Sequence, residues 1–129
     1  MNSSTLPRDR HAAQRRGATA ETVAALVLRL KGFRILARGA KSGRGSGAGE
    51  VDLVARRGDL VIFVEVKHRA TADQAIESLR LSQRRRIERG AAFFLARHSA
   101  LAHCGIRFDM VLVAPWRWPR HIPDAWRID

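Results

Sequence analysis

One cysteine, Cys104, is all the chain has, so no intrachain disulfide is possible and the four-ligand cysteine patterns of structural zinc are absent. Apolar runs are short. The longest, residues 110–116, has seven members, against the roughly 18 or more that a bilayer-spanning helix needs. Near the start stand Arg8, Asp9, Arg10, His11, Arg15 and Arg16, where a secretory signal would need an apolar stretch, and the expected compartment is the cytoplasm. Acidic residues are scarce, 12 Asp and Glu against 24 Lys and Arg. Lysine is scarcer still: Lys31, Lys41 and Lys67 stand beside 21 arginines.

What is present is an ordinary core and an unusual charge. At 129 residues with 46% hydrophobic composition, the chain suits one globular core. The expected organisation is a flexible basic arm over residues 1–18 and a single domain over 19–129. The net charge is +12, and residues 1–16, with four Arg and one Asp, account for only three of those charges, leaving +9 on the body. A body that basic attracts polyanions, and nucleic acid is the expected partner.

From Thr19, Ala20, Val23, Val27 and Leu30 recur at helical spacing, with Ala24 and Leu26 beside them, Glu21 in the first turn and Gly32 as a stop. Residues 33–38 alternate as a strand does. Residues 39–49 are rich in Gly and Ser and read as a loop. Residues 50–56 and 60–69 are β-rich runs joined by a short Gly-containing turn, a hairpin. A second helix is expected from Ser82, with Ile87, Ala91, Phe94 and Leu95 on one face and Arg84, Arg85, Arg86 and Arg89 on another. Residues 107–115 read as a strand, and the tail as an edge strand. Together these make a mixed sheet flanked by helices, an α/β sandwich.

The chemistry sits in the hairpin. Side chains alternate along a strand, so Glu65 and Lys67 share a face, and an even-numbered turn brings Asp52 onto it. A turn at Arg57 and Gly58 makes Glu65 the diagonal neighbour of Asp52, while a longer one makes them direct partners. Carboxylate pairs are hard ligands suited to Mg²⁺ or Mn²⁺. A metal of that kind activates water and stabilises a leaving oxygen, and an adjacent ammonium positions water or meets developing charge. The reaction implied is phosphodiester hydrolysis. Lys67 is notable because this chain otherwise prefers arginine seven to one, and lysine supplies a compact charge that a guanidinium does not.

The order Gly49, Glu50, Val51, Asp52, Leu53, Val54, then Phe63, Val64, Glu65, Val66, Lys67, then Arg107, Phe108, Asp109 resembles the YraN family of uncharacterised bacterial proteins. That family is similar to Holliday junction resolvases and groups by fold with the PD-(D/E)XK nucleases. The resemblance implies a restriction-endonuclease-like sandwich and a metal-dependent DNA nuclease acting on structured or branched substrates. It implies Asp52 and Glu65 as Mg²⁺ or Mn²⁺ ligands and Lys67 as the catalytic lysine. Glu21 matches the acidic residue that the first helix contributes in resolvase-like members. Gln83 matches a helix position that faces the site and more often carries Lys.

The basic run Arg84, Arg85, Arg86, Arg89, together with Arg69, is the expected nucleic-acid contact. Junction cleavage favours a homodimer. Glu50 is expected to satisfy the loop or pair with Arg69, and Asp109 to be buried and paired. His98, His103 and Cys104 lack a fourth partner for zinc, and the three tryptophans are expected to cover the sheet. The alternative to an enzyme is a nucleic-acid-binding module that keeps this fold without turnover. A weaker reading is an interaction protein with an acidic protein partner.

Overall fold

In the computed structural model, which describes residues 7–40, 51–68 and 71–128, the first helix, α1, runs Pro7–Leu30. It therefore begins well before Thr19, and the expected arm over residues 1–18 is helical backbone from Pro7 onward. The physical reason is local: proline is pre-organised for the first helical position, and Ala12, Ala13, Gln14, Arg15 and Arg16 are strong helix formers. The helix ends in a Schellman motif. Gly32 takes φ +91°, its N–H donates to Arg29 O at 3.0 Å, and the Phe33 N–H donates to Leu28 O at 3.0 Å.

The face that α1 buries differs from the expected one. Ala20, Ala24, Ala25 and Leu28 are buried, whereas Leu26 and Leu30 are exposed. Residues 23–28 are apolar all the way round the helix, so periodicity alone does not decide which side turns inward. Packing chose the alanine side, where small residues let the helix approach the sheet.

Five strands follow: β1 Arg34–Ala40, β2 Val51–Arg57, β3 Leu60–Lys67, β4 Gly105–Leu112 and β5 Arg120–Trp126. They lie in the order β1-β2-β3-β4-β5, with every neighbouring pair antiparallel except β3 and β4, which run parallel. A parallel pair needs a long crossover. Here it holds α2, Ala72–Ser78, and α3, Leu81–Ala96. α2 lies in a segment where apolar periodicity points to no helix. Thr71 caps it, its hydroxyl accepting from the Gln74 N–H at 3.1 Å.

The sheet is covered on both faces. On one, Ala24, Ala25 and Leu28 of α1 pack with Leu53, Ala55, Ile62 and Val64. On the other, Ile87, Ala91 and Phe94 of α3 pack with Val54, Val61 and Phe63. This explains the unbroken apolar run of β3, whose residues Val61, Ile62, Phe63 and Val64 are all fully buried. β5 forms the edge strand beside β4, as expected of the tail. Among the described residues no helix is long and apolar enough to cross a membrane.

Candidate functional site

The β2–β3 turn decides which side chains meet. Arg57 pairs with Leu60 and Leu53 with Val64, so the two turn residues are Gly58 and Asp59, one position later than Arg57 and Gly58. Gly58 at φ +59° fits the first central position of a II′ turn, which favours glycine. One step beyond Leu53 and Val64, the same register sets Asp52 against Glu65. The paired ladder itself ends at Leu53 and Val64. At that end the Asp52 carboxylate enters the ladder itself, its Oδ2 accepting from the Val66 N–H at 2.9 Å.

The Glu65 carboxyl is hydrogen-bonded to Asp52 and held at about 9, far above the usual carboxylate range. Burial is the largest cause, and the Asp52 hydrogen bond and charge push the same way. Lys67 and Arg86 oppose them and lose. At neutral pH the Glu65 carboxyl thus keeps its proton against Asp52, as burial beside a like charge favours. The donor set fits a divalent cation on this ground, because a cation bound by both oxygens replaces the proton that now joins them.

Lys67 is oriented from α3. With its amide turned to donate to Ser78 O at 3.2 Å, Gln83 presents its carbonyl oxygen to Lys67 Nζ at 2.9 Å. Gln83 lies one turn before Ile87, whose burial on the sheet fixes this end of the helix above the close of β3. The structure therefore gathers Asp52, Glu65, Lys67 and Gln83, with Arg86 near enough to act on Glu65. Glu21 is half-buried on α1, the helix that covers the opposite face of the sheet. Glu50 and Arg69 lie outside the described residues.

The arginine run of α3 divides by contact. Arg85 pairs with Glu88 at 2.9 Å, and Glu88 also accepts from Trp126 Nε1 at 3.1 Å, so this arginine belongs to an internal network. Arg86 and Arg89 are exposed. Arg84 Nε is buried without a hydrogen-bond partner among the described residues.

Asp109 is the one fully buried charged side chain among the described residues, and its contacts are structural. Arg107 Nε and one terminal nitrogen each donate to it at 2.8 Å, His121 Nε2 lies 2.7 Å from Oδ2, and the Asp124 N–H donates to Oδ1 at 3.0 Å. Burial alone would raise its pKa. The Arg107 and His121 hydrogen bonds and the Asp124 N–H outweigh burial and hold it at about 2.

Sequence reasoning missed a meeting at the far end of the hairpin. His103 Nε2 lies 3.3 Å from Asp59 Oδ1 and 3.7 Å from Cys104 Sγ. These three donor atoms all fall within 4.8 Å of one another, Asp59 and His103 being exposed. No local spacing could have shown it, because the Gly105 N–H to Asp59 O bond of 2.8 Å joins segments remote in sequence. His98 does not join them, since its ring stacks on Phe94 at 3.9 Å between centroids.

A mixed five-stranded sheet between helices, with two hydrogen-bonded carboxyls and a lysine near one strand end, defines an α/β protein with one candidate site at that end of the hairpin. The chain belongs to the uncharacterised protein family UPF0102, whose model matches residues 20–113, and the YraN resemblance is thereby met. It is 76% identical over 129 residues to a UPF0102 protein of Paramagnetospirillum magneticum, covering 100% of both chains. A UPF0102 protein of Parvibaculum lavamentivorans is 53% identical over 116 residues, 90% of this chain and 84% of that one. A third, of Mesorhizobium japonicum, is 48% identical over 116 residues, 90% of each.

Proposed function

We propose that this protein is a metal-dependent nuclease of restriction-endonuclease-like fold that hydrolyses phosphodiester bonds in DNA, with structured or branched DNA as the favoured substrate. The observation that carries the reading is the Asp52, Glu65, Lys67 cluster, a hydrogen-bonded carboxyl pair with an ammonium held beside it by Gln83. Asp52 and Glu65 would hold Mg²⁺ or Mn²⁺, which when bound lowers the pKa of water and stabilises a leaving oxygen. Lys67 orients the attacking water and meets the charge that develops on the phosphoryl oxygens. Gln83 fixes the ammonium, and Arg86 draws the phosphate backbone toward the cluster.

The test is cleavage of branched, flapped and linear DNAs with Mg²⁺ or Mn²⁺, with Asp52→Ala as control. Cleavage by the wild type that Asp52→Ala abolishes supports the reading. Binding without cleavage of any substrate moves the protein to the non-catalytic alternative.

The charge makes a separate prediction. Affinity for DNA falls with salt, with a log-log slope near −0.9 per phosphate neutralised. Arg84→Ala with Arg86→Ala leaves the Arg85–Glu88 pair in place and is expected to make the slope shallower by about 1 to 2 if each side chain meets one phosphate. Salt titrations of wild type and variant check this. An unchanged slope returns the run to a solvated helix face.

A further inference from the structure

The three tryptophans have two different fates. Trp126 covers the sheet as expected, buried, stacked on Phe108 at 5.0 Å between centroids and hydrogen-bonded to Glu88. Trp116 and Trp118 do not: their relative exposures are 102% and 95%. Both stand in the loop between β4 and β5. This loop leaves the sheet beside the candidate cluster, because Lys67 pairs with Leu112 and its carbonyl oxygen accepts from the Val113 N–H at 2.9 Å. Trp116 is three residues beyond Val113, a reach of at most about 11 Å along the chain.

The backbone adds an independent observation. Ala114, Pro115, Trp116 and Arg117 form a turn closed by the Arg117 N–H and Ala114 O at 3.4 Å, with Trp116 at φ +62°. Proline second and a left-handed residue third describe a type II turn, in which glycine suits the third place. A bulky residue at positive φ is a genuine outlier, and such strain collects at functional positions. Trp116 takes that strain without packing in return. A neighbouring arginine, Arg117, and a chain of net charge +12 select a polyanion over an apolar partner.

We propose that Trp116 and Trp118, with Arg117 between them, form a stacking platform for unpaired bases of a nucleic acid strand entering the candidate site. Indole faces take any base, and Arg117 pairs with the phosphate between two stacked nucleotides. The platform makes single-stranded segments the preferred element of the substrate. It rests on the reading of this cluster as a nucleic-acid site, and deepens it.

The test compares wild type with the double variant Trp116→Gly, Trp118→Ala. Glycine suits the turn, so the variant is expected to fold with a melting temperature no lower than that of the wild type. Binding of labelled oligo(dT) and of a duplex is followed by fluorescence anisotropy in EDTA, which keeps cleavage out of the measurement. Single-strand affinity is expected to fall about ten- to a hundred-fold, with duplex affinity and the salt slope for oligo(dT) unchanged. Equal loss on both DNAs, or no loss on oligo(dT), overturns the platform. So does a lower sedimentation mass for the variant, which would make the indoles a contact between two copies. If wild type binds through the indoles but cleaves no substrate, the nuclease reading fails and the platform stands. If it cleaves and the variant binds like wild type, the platform fails alone.

Discussion

Replacing Lys67 by arginine is expected to lower single-turnover cleavage by about 10² to 10³, the usual cost of losing one preorganised donor to developing charge, while DNA affinity barely changes. The substitution keeps the charge and removes the geometry. Lys67 Nζ is a compact ammonium placed 2.9 Å from the Gln83 carbonyl oxygen, and a guanidinium is larger, planar and spreads its charge over a fork. It cannot occupy that point without displacing Gln83 or the Glu65 carboxyl. Cleavage at saturating protein gives the rate, and binding in Ca²⁺ gives the affinity. Equal rates for the two proteins would reduce Lys67 to an electrostatic role. A parallel loss of rate and affinity would place it in binding.

Replacing Asp109 by alanine is expected to cost about 3 to 5 kcal/mol of stability, the range for breaking a buried ion pair by removing one partner. Arg107, His121 and the Asp124 N–H all converge on this carboxylate, so its loss leaves four donor nitrogens facing an empty space. Urea unfolding of wild type and variant measures the difference. The wild type carries a second signature. A carboxyl held at about 2 in the folded chain, against an ordinary value of 3.8, contributes stability that is fully present above that ordinary value. The contribution is lost as pH falls toward about 2. Unfolding free energies between neutral pH and that limit should therefore decline with a component that Asp109→Ala lacks. A loss under about 1 kcal/mol in the variant, with no pH-dependent difference between the two proteins, would show that the network contributes nothing net.

The candidate cluster was legible because strand alternation is a strict rule. Once residues 50–56 and 60–69 read as a hairpin, any even turn put Asp52, Glu65 and Lys67 on one face, and shifting the turn from Arg57–Gly58 to Gly58–Asp59 left that face unchanged. The exact pairing was not legible, since Arg57, Gly58 and Asp59 offer glycine either turn position. The Gly32 stop was readable for a similarly local reason, the left-handed residue a helix end needs. What escaped depended on contacts between distant segments. Apolar residues surround α1, so only packing against Leu53 and Ile62 shows that Leu28 is inside and Leu30 outside. Asp109 was read as buried and paired, but two of its partners, His121 and Asp124, arrive from β5. The helix of Glu21 covers the face opposite Asp52, a matter of layer order that periodicity does not encode. Trp116, Trp118 and Trp126 look alike as letters, and only Trp126 found Phe108 and Glu88 to lie against.

The β5 strand is an edge, and it is a poor one to build on. Pro123 lacks the N–H that a further strand would need, Asp124 sits at φ +55°, and the pairing of β4 with β5 shifts register between Phe108 and Met110. Arg120 at one end and Arg127 just past the other are exposed. These are the devices by which sheets resist extension by a neighbouring chain. Copies of this protein are thereby discouraged from adding strands to one another across β5, so that crowding of the chain in solution does not lead to sheet growth from that side. An assembly of two copies would leave the β5 backbone unshared.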